Sequence, residues 1–138
     1  MKKKLFVIFY SIFFISLTSF TVAQVSVPVL VSPASAATNI TSPIAFNWND
    51  VSNATNYRIQ VSTSSSGWTA SAGFSTGIVL NDNTPTTSNF TWTTTLTPGT
   101  TYYWSVKAGT ASSSSNYASY RSFTTPATLT IPVLVSPA

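Results

Sequence analysis

From residue 28 onward, apolar and polar residues alternate one for one in short runs, and this alternation limits what the 138-residue chain can fold into more than any other feature. Ile44, Phe46 and Trp48 are interleaved with Ala45 and Asn47. Tyr57, Ile59 and Val61 are interleaved with Arg58 and Gln60, and Phe90 and Trp92 with Asn89 and Thr91. Tyr102, Trp104, Val106 and Ala108 are interleaved with Tyr103, Ser105 and Lys107. A period of two puts one set of side chains in a core and the other in water. Residues 28–33 form an earlier extended piece, whose flanking prolines suit an edge strand. Residues 74–80 form a weaker run, and residues 117–125 close the set with Phe123 inward. Tyr120 is out of phase with Phe123, which predicts a bulge in the last strand. The polar stretches 35–42, 50–56, 62–73, 81–88 and 109–116 are the turns between runs. Seven short strands at this spacing predict an antiparallel β-sandwich.

The chain also repeats a phrase. Residues 27–34 read VPVLVSPA, and residues 131–138 read IPVLVSPA. Fixed-period self-similarity marks a tandem array. The reading is one module over residues 27–126, followed by residues 127–138 as a linker and the first strand of a truncated second repeat. Residues 1–23 stand apart. Lys2, Lys3 and Lys4 precede an apolar run from Leu5 to Phe20, and Thr21, Val22 and Ala23 follow as small residues before Gln24. This is the layout of a cleaved secretory signal peptide, so the module is expected outside the cell or on its surface, with no membrane span once the leader is removed.

Removing the leader changes the charge argument. The whole chain carries +4, but three of its six cations are Lys2, Lys3 and Lys4. Arg58, Lys107 and Arg121 against Asp50 and Asp82 leave +1. The clustered basic face that nucleic-acid binding needs is missing. With no Cys, stability must come from burial rather than from disulfides. Ser and Thr make up about a third of the chain, yet 14% of it is aromatic. Disordered segments lack such residues, so the hydroxyl residues are read as solvent faces and turns.

Residues 96–108, LTPGTTYYWSVKA, resemble the fibronectin type III family. Leu96, Pro98, Gly99, Thr100 and Tyr102 match its pattern, and Trp48 stands where that family keeps a core Trp. The doubled aromatics from Tyr102 to Trp104 and the ending RSFTT (residues 121–125) look like the bacterial extracellular members. The resemblance implies an all-β, seven-stranded immunoglobulin-like sandwich. Its core would hold Phe46, Trp48, Tyr57, Ile59, Leu96, Tyr102, Trp104 and Val106. It also implies a tyrosine corner, in which the Tyr102 hydroxyl bonds back to the backbone just upstream.

The residue inventory speaks against catalysis. The chain contains no His, Cys or Glu, the usual groups for acid–base and nucleophilic work. Asp50 and Asp82 are the only carboxylates. They are read as turn formers rather than as a glycosidase pair or, with Asn81 and Asn83, a calcium site. No cofactor is expected. Asn39, Asn53 and Asn89 open glycosylation sequons, which chance supplies in so polar a chain.

Two places remain for binding. Trp68, in a Ser/Gly-rich stretch, either packs on the edge of the core or stacks on a sugar face. Arg58, Gln60, Tyr103, Ser105 and Lys107 are expected on one solvent face, joined by Arg121 if the last strand keeps phase. That face is either a weak contact surface or simply solvated. The reading is a non-catalytic spacer or interaction module of a tandem array. Its partners would be other domains of its own polypeptide and a cell-surface protein or polysaccharide. The alternative is a carbohydrate-binding accessory of a secreted polysaccharide-degrading enzyme, with Trp68, Tyr103, Arg58 and Lys107 as ligand contacts.

Overall fold

The computed structural model describes residues 24–128. The leader reading and the second copy of the repeated phrase lie outside the described residues. Seven strands follow one another: β1 (Leu30–Ser32), β2 (Ile44–Trp48), β3 (Asn56–Ser62), β4 (Ile78–Asp82), β5 (Asn89–Trp92), β6 (Thr101–Gly109) and β7 (Arg121–Thr124). They form two antiparallel sheets, one ordered β1-β2-β5 and the other β4-β3-β6-β7. This is a seven-stranded antiparallel sandwich of immunoglobulin-like kind.

The alternation of the sequence becomes the core. Ile44, Phe46 and Trp48 from β2 face Tyr57, Ile59 and Val61 from β3, Tyr102, Trp104 and Val106 from β6, and Phe123 from β7, all buried. Aromatic rings knit the two sheets together. Phe46 lies 5.0 Å from Trp104 and 6.1 Å from Phe123 across the sheets, and within the four-stranded sheet Tyr102 stacks on Phe123 at 5.4 Å. Such pairs add to burial about 0.5–1.5 kcal/mol each. Leu96, in the loop after β5, packs against this cluster half-buried.

Two buried tyrosines tie loops to the core through their hydroxyls. The Tyr102 hydroxyl accepts the Thr97 N–H at 3.0 Å, the bond of a tyrosine corner. The Tyr57 hydroxyl accepts the Val51 N–H, also at 3.0 Å. Thr125 then locks the loop before β6 to the chain after β7: its Oγ1 accepts from Thr100 N–H at 2.9 Å and donates to the Thr97 carbonyl at 2.7 Å.

Two strands differ from expectation. β4 begins at Ile78 rather than near residue 74, because Gly77 turns the chain at φ 63° first and Phe74 is used elsewhere. Regular pairing in β7 covers only Arg121–Thr124. Upstream of it the chain still follows β6. Trp104 pairs with Arg121, and Gly109 bridges to Ser114, so five steps along β6 face seven along the returning strand. The two surplus residues are the bulge that Tyr120 foretold.

The ladders also fix where the chain comes and goes. Leu30 pairs with Trp48, at the pole that holds the end of β6 and the start of β3. Thr124 pairs with Thr101, at the opposite pole.

Candidate functional site

The expected contact residues lie on the outer face of the four-stranded sheet, and the structure does not leave that face bare. Gln60 and Ser105, expected in water, are buried. Alternation reveals which side chains point away from the core; it does not reveal what lands on them. Residues 63–77 fold back over β3, and residues 110–120 lie beside them.

Polar bonds build this cover. Ser62, fully buried, accepts the Ser64 N–H and bonds the carbonyl of Thr76, so the loop closes on itself as it leaves the strand. Thr69 and Gly73 exchange both backbone bonds, at 3.0 and 2.8 Å, to form a tight tip. The tip is pinned at two points, and the segment beside it at a third. Gln60 Oε1 accepts the Phe74 N–H at 2.9 Å. The Tyr117 N–H donates to the Ala70 carbonyl at 2.7 Å. Ser105 Oγ donates to the Ala118 carbonyl. Gly73 sits at φ 79°, where a Cβ would collide with Gln60 Oε1 and stand 2.9 Å from a ring carbon of Tyr117. Only glycine lets the tip approach this closely.

The candidate residues separate into two groups. Trp68 and Tyr103 meet around Tyr120, at centroid distances of 5.3 and 5.6 Å, with Phe74 beneath at 5.9 Å. Trp68 and Tyr103 are half-buried and Phe74 is buried, while Tyr120 keeps 39% of its surface. Arg58 and Lys107 meet around Tyr117 instead. They are partners across the β3–β6 ladder. Lys107 Nζ lies 5.3 Å from the Tyr117 ring centroid, and the Arg58 charge acts on the Tyr117 phenol. Burial pushes the Tyr117 phenol above its usual value, with the Arg58 charge opposing. Arg121 joins neither group. The bulge turns its guanidinium to the sandwich edge, where Nη1 donates to the Val31 carbonyl at 2.7 Å.

Sequence reasoning passed over Tyr117 and Phe74. The signal for Tyr117 was present in NYASYR, where two aromatics three apart precede a short strand. Period two cannot place both on one face, and a bulge can.

Of the two carboxylates, Asp82 caps a turn: Oδ1 accepts from the N–H and the hydroxyl of Thr84, each at 2.7 Å. Asp50 is exposed just after β2. Among the described residues, no three acidic or metal-ligating side chains gather in one place. Two clefts lie at opposite ends. One of about 790 Å³, at the pole where β7 ends, is lined by Ile40, Thr95, Leu96, Pro98 and Pro126 among others. One of about 210 Å³, at the other pole, is lined by Asn56, Arg58, Asn83, Lys107, Thr110 and Ser113 among others.

No family model and no curated protein matches the sequence. Among solved structures, the chain is similar to an Fn3-like protein from Clostridium thermocellum. Identity is 21% over 75% of this chain and 95% of that one, with a TM-score of 0.48. It is also similar to a fibronectin type III domain derived from the human KIAA0970 protein. Here identity is 15%, over 83% of this chain and 85% of that one, with a TM-score of 0.46.

Proposed function

We propose that the chain is a non-catalytic, exported β-sandwich module that serves as a spacer and interaction unit in a tandem array. The observation that carries this reading is that the first strand begins and the last strand ends at opposite poles of the sandwich. The chain comes in beside Trp48 at one pole and goes out beside Thr101 at the other. Modules joined in this way line up end to end. The recurrence of VPVLVSPA as IPVLVSPA supplies a second copy of the first strand at the spacing of one module. The lack of His, Cys and Glu supports a role without chemistry. Small-angle scattering from the native polypeptide should give an elongated string of beads; one compact body would count against the reading. Mass spectrometry of the exported protein should find Gln24 at the N-terminus.

A second reading, a carbohydrate-binding accessory to a polysaccharide-degrading enzyme, draws on the Tyr120 ring, exposed at the centre of the Trp68–Tyr103 group. Affinity electrophoresis tests it. Neutral glucans, chitin or xylan should retard the protein, and Trp68→Ala should abolish the retardation. Free migration in every neutral glycan would end this reading.

A further inference from the structure

The cationic cleft asks for a ligand of its own. Arg58 and Lys107 stand directly opposite one another on β3 and β6, and like charges placed so oppose each other. The leaderless chain has three cations, and it sets two of them at this one spot. Neither of its carboxylates lines the cleft that the pair opens into. Tyr117 lies against the pair: Lys107 Nζ stands 5.3 Å from its ring centroid, and the Arg58 charge acts on its phenol. The remaining polar lining comes from Asn56, Asn83, Thr110, Ser113 and Ser114. These are neutral amides and hydroxyls, able both to donate and to accept.

We infer that this cleft binds one carboxylated or sulfated sugar residue of an acidic polysaccharide. Guanidinium meets an oxyanion with two parallel bonds, and ammonium adds a point charge beside it. The amides and hydroxyls match the sugar's hydroxyl groups. The cleft's roughly 210 Å³ is below the range of about 300–1,000 Å³ for pockets that take drug-sized ligands, which fits a single sugar unit of a longer chain. Bound there, the anion relieves the opposition of the two cations. The inference goes beyond the spacer reading and does not depend on it: scattering decides one and glycan binding the other.

Affinity electrophoresis of the full chain through polygalacturonate, chondroitin sulfate, neutral dextran and polyglutamate tests the site. The acidic glycans should retard the protein and dextran should not. Arg58→Gln and Lys107→Gln should each weaken retardation about tenfold. Arg121→Gln, which removes the same charge elsewhere, should leave it unchanged. Arg58→Lys should retain part of the binding, and urea unfolding of each variant separates a lost site from a lost fold. Equal retardation by polyglutamate would overturn the inference in favour of an acidic-peptide site. Equal weakening by Arg121→Gln would reduce it to net charge, and no retardation by either acidic glycan would end it.

Discussion

The two faces of the four-stranded sheet are built on different principles. The inner face is apolar and aromatic, with Ile59, Val61, Trp104 and Val106 fully buried against Phe46 and Phe123. The outer face is nearly as well covered at its centre, but by a polar lid, with Gln60, Ser62 and Ser105 buried under loop backbone. The inner layer rests on area removed from water, which no single bond dominates. The outer layer rests on a few hydrogen bonds, each leaving a buried donor or acceptor unmet if broken. One side of the sheet holds the domain together; the other shapes the surface that carries Trp68, Tyr103, Arg58 and Lys107.

The sharpest attack on this contrast is Trp104→Ala. It should cost about 3–5 kcal/mol, a large share of a typical stability of about 5–15 kcal/mol, and both layers should melt together in urea. Gly73→Ala comes next, at about 1–3 kcal/mol, because it forces a side chain into left-handed backbone and into Gln60. Its damage should be local: in hydrogen exchange, the Phe74 and Tyr117 amides should lose protection while those of β2 and β6 keep theirs. Uniform loss across the domain would show that the two layers are one cooperative unit. Tyr102→Phe removes only the bond from Thr97, for about 1 kcal/mol. Unchanged urea stability would remove the tyrosine corner from the account.

The smallest effect is in pH. Burial raises the Tyr117 phenol's pKa in the folded state, so the folded protein holds that proton more tightly than the unfolded chain. The associated stability is complete below the ordinary tyrosine value of about 10 and is lost as pH rises through the folded value. Tyr117→Phe should therefore flatten the alkaline fall in urea midpoint; an unchanged slope would mean that Tyr117 is not the group responsible.

The contrast also explains what could be read in the sequence. Strands β2, β3 and β6 were legible because a face packed against another sheet needs period two, and Phe46, Trp48, Tyr57, Ile59, Tyr102, Trp104 and Val106 keep it. The lid was not legible. Its side chains bond to backbone, and hydroxyl-rich loops look the same whether they cover a sheet or hang in water. Phe74, read as a strand residue, belongs to that lid. Trp68 and Tyr103 were each recognisable as candidate contact aromatics, but their meeting place, Tyr120, depends on two surplus residues opposite β6. Alternation put Arg58 and Lys107 on one solvent face, but only the register of β3 on β6 makes them direct partners.

The segment before β2 pairs with β7 in parallel. Ala37 bridges to Phe123, the Thr124 N–H donates to the Ala37 carbonyl at 2.8 Å, and the Ile40 N–H donates to the Thr124 carbonyl at 3.1 Å. Because the chain enters β1 and leaves β7 at opposite poles, a tug along that line would slide these two segments past each other lengthwise. The bonds then bear the load together, with no bond yielding ahead of the rest as it would in a zipper. This pairing is expected to make the sandwich resist stretching along the line between its two poles.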